Sequence, residues 1–154
     1  LAELLGHRVA NALFLAACRD EFVERARCAV TGGDLLEVAR EEVDAGLGLL
    51  RAGPFRREAG YLDLGQPLAA EAALNLYWLA DLDPILARFG SRGYRAAQLE
   101  AAIEGGRAYL AAYALGLGAT GLTFFDDDVT AFFSPHAAGK SVLFLAAVGP
   151  ERPR

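Results

Sequence analysis

The 154-residue chain contains no methionine, position 1 included, and a single lysine, Lys140. Asn and Gln occur only as Asn11, Asn75, Gln66 and Gln98, and cysteine only as Cys18 and Cys28. The lack of methionine is expected of a product that has been processed, truncated or cut from a longer one. Scarcity of the thermolabile residues Asn, Gln, Cys and Met is compatible with a thermophile, although gene base composition produces the same bias. Cys18 and Cys28 form no C-x-x-C pattern, so they read as small core residues kept reduced in a cytosolic chain. A basic surplus is missing too. The net charge is −5 and the pI about 5.0, whereas a general nucleic-acid binder needs a basic face to displace counterions.

Long apolar runs are also absent. The most apolar helical stretch is interrupted by Glu100, Glu104 and Arg107, which excludes a bilayer span there. The opening LAELLGHRVANALFLAACRDEF has an apolar middle but lacks the basic start and clean cleavage site of a secretory signal, so a cytoplasmic location is expected. What the chain does have is apolar material. Hydrophobic residues make up 54% and charged residues 23%, enough for one globular domain with a substantial core.

From Leu1 to about Arg51 the pattern predicts helix, with Leu1, Leu4, Leu5, Val9, Leu13 and Ala16 recurring at three- and four-residue steps. Asp34 is a natural N-cap and Glu37 completes a capping box. Gly53-Pro54 ends that segment. Residues 1–65 therefore read as a helical N-terminal segment and 66–154 as the core, together one domain. Beyond Pro67, Ala73 to Leu79 form a buried strand bounded by Asp81 and Asp83-Pro84. DPILARFG is a short helix with Pro84 in its first turn. SRGYRAAQLEAAIEGGRAYLAAYALGLG is the strongest helix, apolar nearly all round from Ala108 to Leu115 and stopped by Gly116 and Gly118. ATGLTFF is extended, Asp126 to Asp128 open another short helix, and SVLFLAAVG is a closing buried strand. The order predicts an α+β fold.

Gly116-Leu-Gly118-Ala-Thr-Gly121 matches the G-x-G-x-x-G spacing of a dinucleotide turn. That motif needs a strand entering and a helix leaving, with an acidic ribose ligand about 20 residues on. Here a helix enters and a strand leaves, and the expected acid is missing, so the glycines read as a helix stop and a turn. Gly139-Lys140-Ser141 resembles the end of a P-loop, but Ser134 stands where its first glycine belongs. Asp126-Asp127-Asp128 could chelate Mg²⁺; an N-capping and first-turn acidic cluster is the commoner reason for such a run. His7 and His136 have no acidic or nucleophilic partner at a recognisable spacing and read as surface or capping residues. No catalytic residue and no metal ligand is assigned.

FGSRGYRAAQLEAAIEGGRAYLAAYALGLGATGLTFFDDD followed by VLFLAAVGP resembles the C-terminal half of the FMN-dependent nitroreductase family. The likeness is strongest to its SagB-type dehydrogenases, some of which oxidise azolines in peptide natural products. Gly93-Tyr94-Arg95, Leu99-Glu100, Leu110-Ala111-Ala112, Leu115 to Gly118, Phe125-Asp126-Asp127 and the strand to Val148-Gly149 carry the likeness, with QPLAAEAALNLYWLADLD similar to the preceding family strand. It covers about residues 66–150.

The resemblance implies a nitroreductase-like α+β fold with a central buried helix and a small, mostly antiparallel sheet. It further implies a homodimer or pseudo-dimer, and FMN at the subunit interface. Gly121, Leu122 and Thr123 would then contact the flavin, and Arg152 or Arg154 would face its phosphate, where a planar guanidinium pairs with phosphate oxygens; a solvated basic tail is the other reading of that pair. The family's Arg-Arg-Ser and Pro-Ser-Ala-Gly segments are absent, Phe124 replaces a glycine at the flavin N5 edge, and Arg88-Phe89 replaces the Lys-Tyr pair of azoline oxidases. Two functions follow: an FMN-dependent oxidoreductase passing hydride through flavin N5 to a small-molecule substrate, or a degenerate domain without FMN that serves as a dimerisation or scaffold partner. An unrelated α+β binding module is a third reading.

Overall fold

The computed structural model describes residues 12–17 and 54–150. The elements are β1 (Ala12–Ala17), α1 (Arg56–Leu62), α2 (Pro67–Glu71), β2 (Leu74–Ala80), α3 (Leu82–Phe89), α4 (Ser91–Ala114), β3 (Gly118–Gly121), α5 (Asp126–Phe133) and β4 (Ser141–Gly149). The strands form one antiparallel sheet in the order β1-β2-β4-β3. The α+β class expected from the sequence is the class observed.

One reading of the N-terminal region is corrected. Residues 12–17, read as helix, form strand β1, which pairs with β2 from Ala12 opposite Leu79 to Ala17 opposite Leu74. A six-residue apolar run fits either period; the open edge of β2 selects the strand. The rest of the predicted helical segment, with the Asp34 cap, His7, Cys18 and Cys28, lies outside the described residues.

Strands β2 and β4 are apolar on both faces because both faces are covered. Along β2, Leu76, Trp78 and Ala80 enter one cluster with Ala97, Ala101 and Ala112 of α4, while Tyr77 and Leu79 enter another with Leu62, Val129, Phe133 and Ala137. Along β4 the alternation slips. Val142 and Leu145 belong to the second cluster, whereas Leu143, Ala146 and Val148 belong to the first. A bulge causes it: Trp78 opposes Phe144 but Leu79 opposes Val142, leaving Leu143 as the extra residue.

Helix α3 starts from Asp81, whose carboxylate accepts the Asp83 N–H at 3.3 Å. Helix α4 lies along β4 and β3 through small residues; Gly93, Ala97, Ala101, Gly105 and Ala112 form its buried face. A Cβ at Gly105 would collide with the Phe144 ring, so glycine is demanded there. The end of α4 is a Schellman turn. Leu117 N–H donates to Ala112 C=O at 2.9 Å, Gly116 N–H donates to Tyr113 C=O at 3.0 Å, and Gly116 takes the required left-handed φ of 71°.

The expectation of a helix buried on every side is corrected as well. Within the single chain, Leu99, Ile103, Leu110 and Tyr113 of α4 are exposed, Leu110 at 71%. They fall on one face with Gly106, opposite the small-residue face. Composition alone could not distinguish a core helix from one that packs on one side and presents a second apolar stripe. No helix among the described residues is long and apolar enough to cross a membrane.

Candidate functional site

The order of elements around the glycine stretch is helix α4, Schellman turn, strand β3, and then an irregular loop into α5. This is the reverse of a dinucleotide turn, as the sequence implied. Among the described residues strand β3 pairs only with β4, at the end of the sheet order, and its end delivers Gly121, Leu122 and Thr123 in succession.

The hydrogen bonds of this loop are unevenly distributed. Leu122 N–H donates to Leu145 C=O at 3.3 Å, extending the β3–β4 ladder by one rung. Phe125 N–H donates to Leu62 C=O at 2.8 Å. Between these two tethers, the N–H groups of Thr123 and Phe124 have no acceptor among the described residues. Two consecutive backbone donors beside a sheet edge suit the rim of a flat heteroaromatic ring bearing acceptor atoms. In that respect the loop fits the cofactor that the resemblance implies. The glycine itself has an internal reason: a Cβ on Gly121 would stand 3.2 Å from the Tyr109 hydroxyl.

The side chains around the loop tie it down. Gln66 Nε2 donates to Asp63 C=O at 2.8 Å and to Thr123 C=O at 3.2 Å, with Thr123 Oγ1 at 3.4 Å. Tyr113 OH reaches Ala119 C=O at 3.5 Å on the same edge strand. Burial first, and the neighbouring Tyr113 second, push the Tyr109 phenol above its usual range, against the opposing influence of hydrogen bonds with Gly121 and Thr120. Tyr109 is therefore neutral at physiological pH.

Asp63 is the buried charge-bearing residue of this region, 0% exposed. Its Oδ1 accepts the Tyr77 hydroxyl at 2.8 Å, and its Oδ2 has no hydrogen-bond partner among the described residues. Burial raises its carboxyl to about 6, with the Tyr77 hydrogen bond pulling the other way. On the outer side, Phe124, Phe125 and Asp126 to Asp128 line a shallow open depression. The three aspartates occupy the first turn of α5, where they favour the helix dipole; the N-cap itself is Phe125, not an aspartate. Asp128 also accepts the Tyr61 hydroxyl at 2.9 Å. Among the described residues no cluster of His, Cys, Asp or Glu is arranged to hold a metal ion.

Gly121, Leu122 and Thr123 are thus contiguous on one loop, and Arg152 and Arg154 lie outside the described residues. Phe124 is partly buried against the cluster of Leu62, Val129 and Phe133, so its ring has a packing role. His136 is exposed, and its carbonyl accepts Lys140 Nζ at 3.4 Å. Sequence reasoning missed Asp63, Gln66 and Tyr109. The turn composition DLGQP was a signal for a tight connection, but nothing local tied it to a loop 57 residues away.

An antiparallel sheet covered by a long glycine-terminated helix, with a donor-bearing loop where β3 ends, defines the α+β domain. The chain belongs to the nitroreductase family, whose model matches residues 13–149. Among solved structures it is similar to a candidate nitroreductase of Anabaena variabilis ATCC 29413 at 36% identity and a TM-score of 0.62, over 67% of this chain and 21% of that one. The chain therefore spans about a fifth of the length of that relative. Nitroreductase A of Vibrio parahaemolyticus RIMD 2210633 (16% identity, TM-score 0.56, 97% of this chain and 67% of that one) shares the fold. So does NfrA1 of B. megaterium (19% identity, TM-score 0.54, 98% and 68%). No curated protein matches the chain.

Proposed function

We propose that this chain is an FMN-dependent oxidoreductase domain of the nitroreductase family, of SagB-like type, that works as a homodimer or pseudo-dimer. The observation that carries the reading is the pair of adjacent N–H groups at Thr123 and Phe124, which have no acceptor among the described residues and lie between two tethered neighbours. FMN, when bound, supplies hydride acceptance and donation at its N5. The chain's own part is to bind and orient. Gly121, Leu122 and Thr123 would meet the flavin rim, Arg152 and Arg154 would hold the phosphate, and the apolar cluster behind Phe124 would exclude water. Pairing is supported by the exposed stripe of Leu99, Ile103, Leu110 and Tyr113 on α4. The β1–β2 ladder supports reading residues 1–65 and 66–154 as parts of one domain.

That same apolar stripe favours a second reading, a domain that keeps the pairing surface but has lost FMN and serves as a scaffold partner. The visible spectrum of the purified chain separates the two. Flavin bands, or their appearance on titration with FMN, support the oxidoreductase. A colourless chain that takes up no added FMN overturns it and leaves the scaffold.

A further inference from the structure

We infer that Gln66 is a positioning residue: its side-chain amide holds Thr123 so that the Thr123 and Phe124 N–H groups are preorganised for the cofactor. This rests on the flavin reading above. The partners of Nε2 are the carbonyl oxygens of Asp63 and Thr123. Two acceptors on one atom force it to be the nitrogen rather than the oxygen of the amide. One NH₂ group thus bridges the α1–α2 turn to the loop that follows β3.

The bridge is anchored at its base. Gln66 N–H donates to Asp63 C=O at 3.2 Å and Gln66 C=O accepts Ala69 N–H at 3.2 Å, which fixes its backbone at the start of α2. The Asp63 carboxyl is in turn held by Tyr77 of the central strand β2. Between Asp63 and Gln66 the chain passes through Leu64 at φ 57° and Gly65 at φ 70°. A leucine in the left-handed region is uncommon, and it persists only where its surroundings dictate the turn. The same turn region supplies Leu62 C=O to Phe125 N–H. The donor pair is therefore bracketed by Leu122 on β4, Phe125 on Leu62, and Gln66 on Thr123. A loop held in this way loses little freedom on binding, which is how preorganisation raises affinity.

The test uses the full chain and two variants. Gln66→Leu keeps the approximate volume and removes the donor. In the ligand-free protein, amide exchange at Leu122 and Phe125, the hydrogen-bonded amides on either side of the donor pair, is expected to speed up about tenfold, with exchange in the β2–β4 ladder unchanged. The Kd for FMN is expected to rise about tenfold and the flavin band to shift. Gln66→Glu guards against a folding defect. It is expected to bind FMN weakly at pH 8 and to regain affinity relative to wild type as acidification protonates the glutamate and restores a donor, a recovery that a purely structural defect would not give.

Exchange at Leu122 and Phe125 that does not change in Gln66→Leu overturns the inference. So does a wild-type chain that binds FMN while both variants bind it equally well with the same spectrum; the flavin reading then stands. A wild-type chain that takes up no FMN overturns the flavin reading, and with it the cofactor role of Gln66.

Discussion

The two faces of the β2–β4 sheet are both buried, yet they are closed by different means. On one face α4 presents alanines and glycines, and the sheet answers with Leu76, Trp78 and Phe144, so closure comes from backbone approach. On the other face short helices and loops contribute Leu62, Val129 and Phe133, and among them sits a buried carboxyl hydrogen-bonded to Tyr77. The first face is intolerant of added volume, and the second is sensitive to charge. The difference teaches where function can be placed. The tightly packed face seats α4, and the loop-covered face carries the polar connections that reach Thr123.

The largest expected effect comes from the tight face. Gly105→Ala drives a methyl into the Phe144 ring and is expected to cost about 2 kcal/mol, read as a lower urea midpoint with unchanged slope. Adding Phe144→Leu should recover part of that loss; full additivity would mean that the two residues do not meet.

The charged face should respond to pH instead. Because the folded state raises the Asp63 carboxyl from 3.8 to about 6, the folded state binds the proton more tightly. Its contribution is fully present below about pH 4 and is lost as pH rises through about 6. With solvent screening allowed for, the loss is on the order of 1–2 kcal/mol, visible as a lower Tm at pH 7.5 than at pH 5. Asp63→Asn should flatten this part of the profile while retaining an acceptor for Tyr77. An unchanged profile in the variant would assign the slope to another group.

Smaller still is the effect at the end of α4. Gly116→Ala places a Cβ at φ 71° and is expected to cost about 1 kcal/mol, without altering the loop beyond β3. The smallest effect on folding is expected on the outer side of α4. Leu110→Glu at a position 71% exposed should change single-chain stability by less than about 0.5 kcal/mol. Sedimentation should nevertheless detect it, because a charge in the proposed pairing stripe shifts the chain toward monomer. A variant that sediments like wild type removes this stripe from the pairing surface.

Much of the fold was legible because its signals are local. Asp83-Pro84 announced α3, the glycines at 116 and 118 announced the end of α4, and the apolar runs at 73–79 and 141–149 announced two strands, the first observed one residue further on at Leu74–Ala80. Strand β1 was not legible, since a short apolar run acquires its period only from the neighbour it joins. Nor was the bulge at Leu143, which is a property of two paired strands rather than of either. Of the candidate site, the succession Gly121 to Thr123 could be picked out by resemblance. Gln66 and Asp63 could not, because a glutamine before a proline and an aspartate before a turn have ordinary local explanations.

By itself, then, the sequence determined the sites of chain reversal, the two-sided burial of the central strands and the small-residue face of α4. Each of these is set by backbone freedom, hydropathy or side-chain size within a few residues. Tertiary structure alone decided which strand edge was filled, that one apolar stripe of α4 faces outward, and that an amide at position 66 meets a carbonyl at position 123. Those outcomes depend on contacts between segments far apart in the chain, and no local preference encodes them.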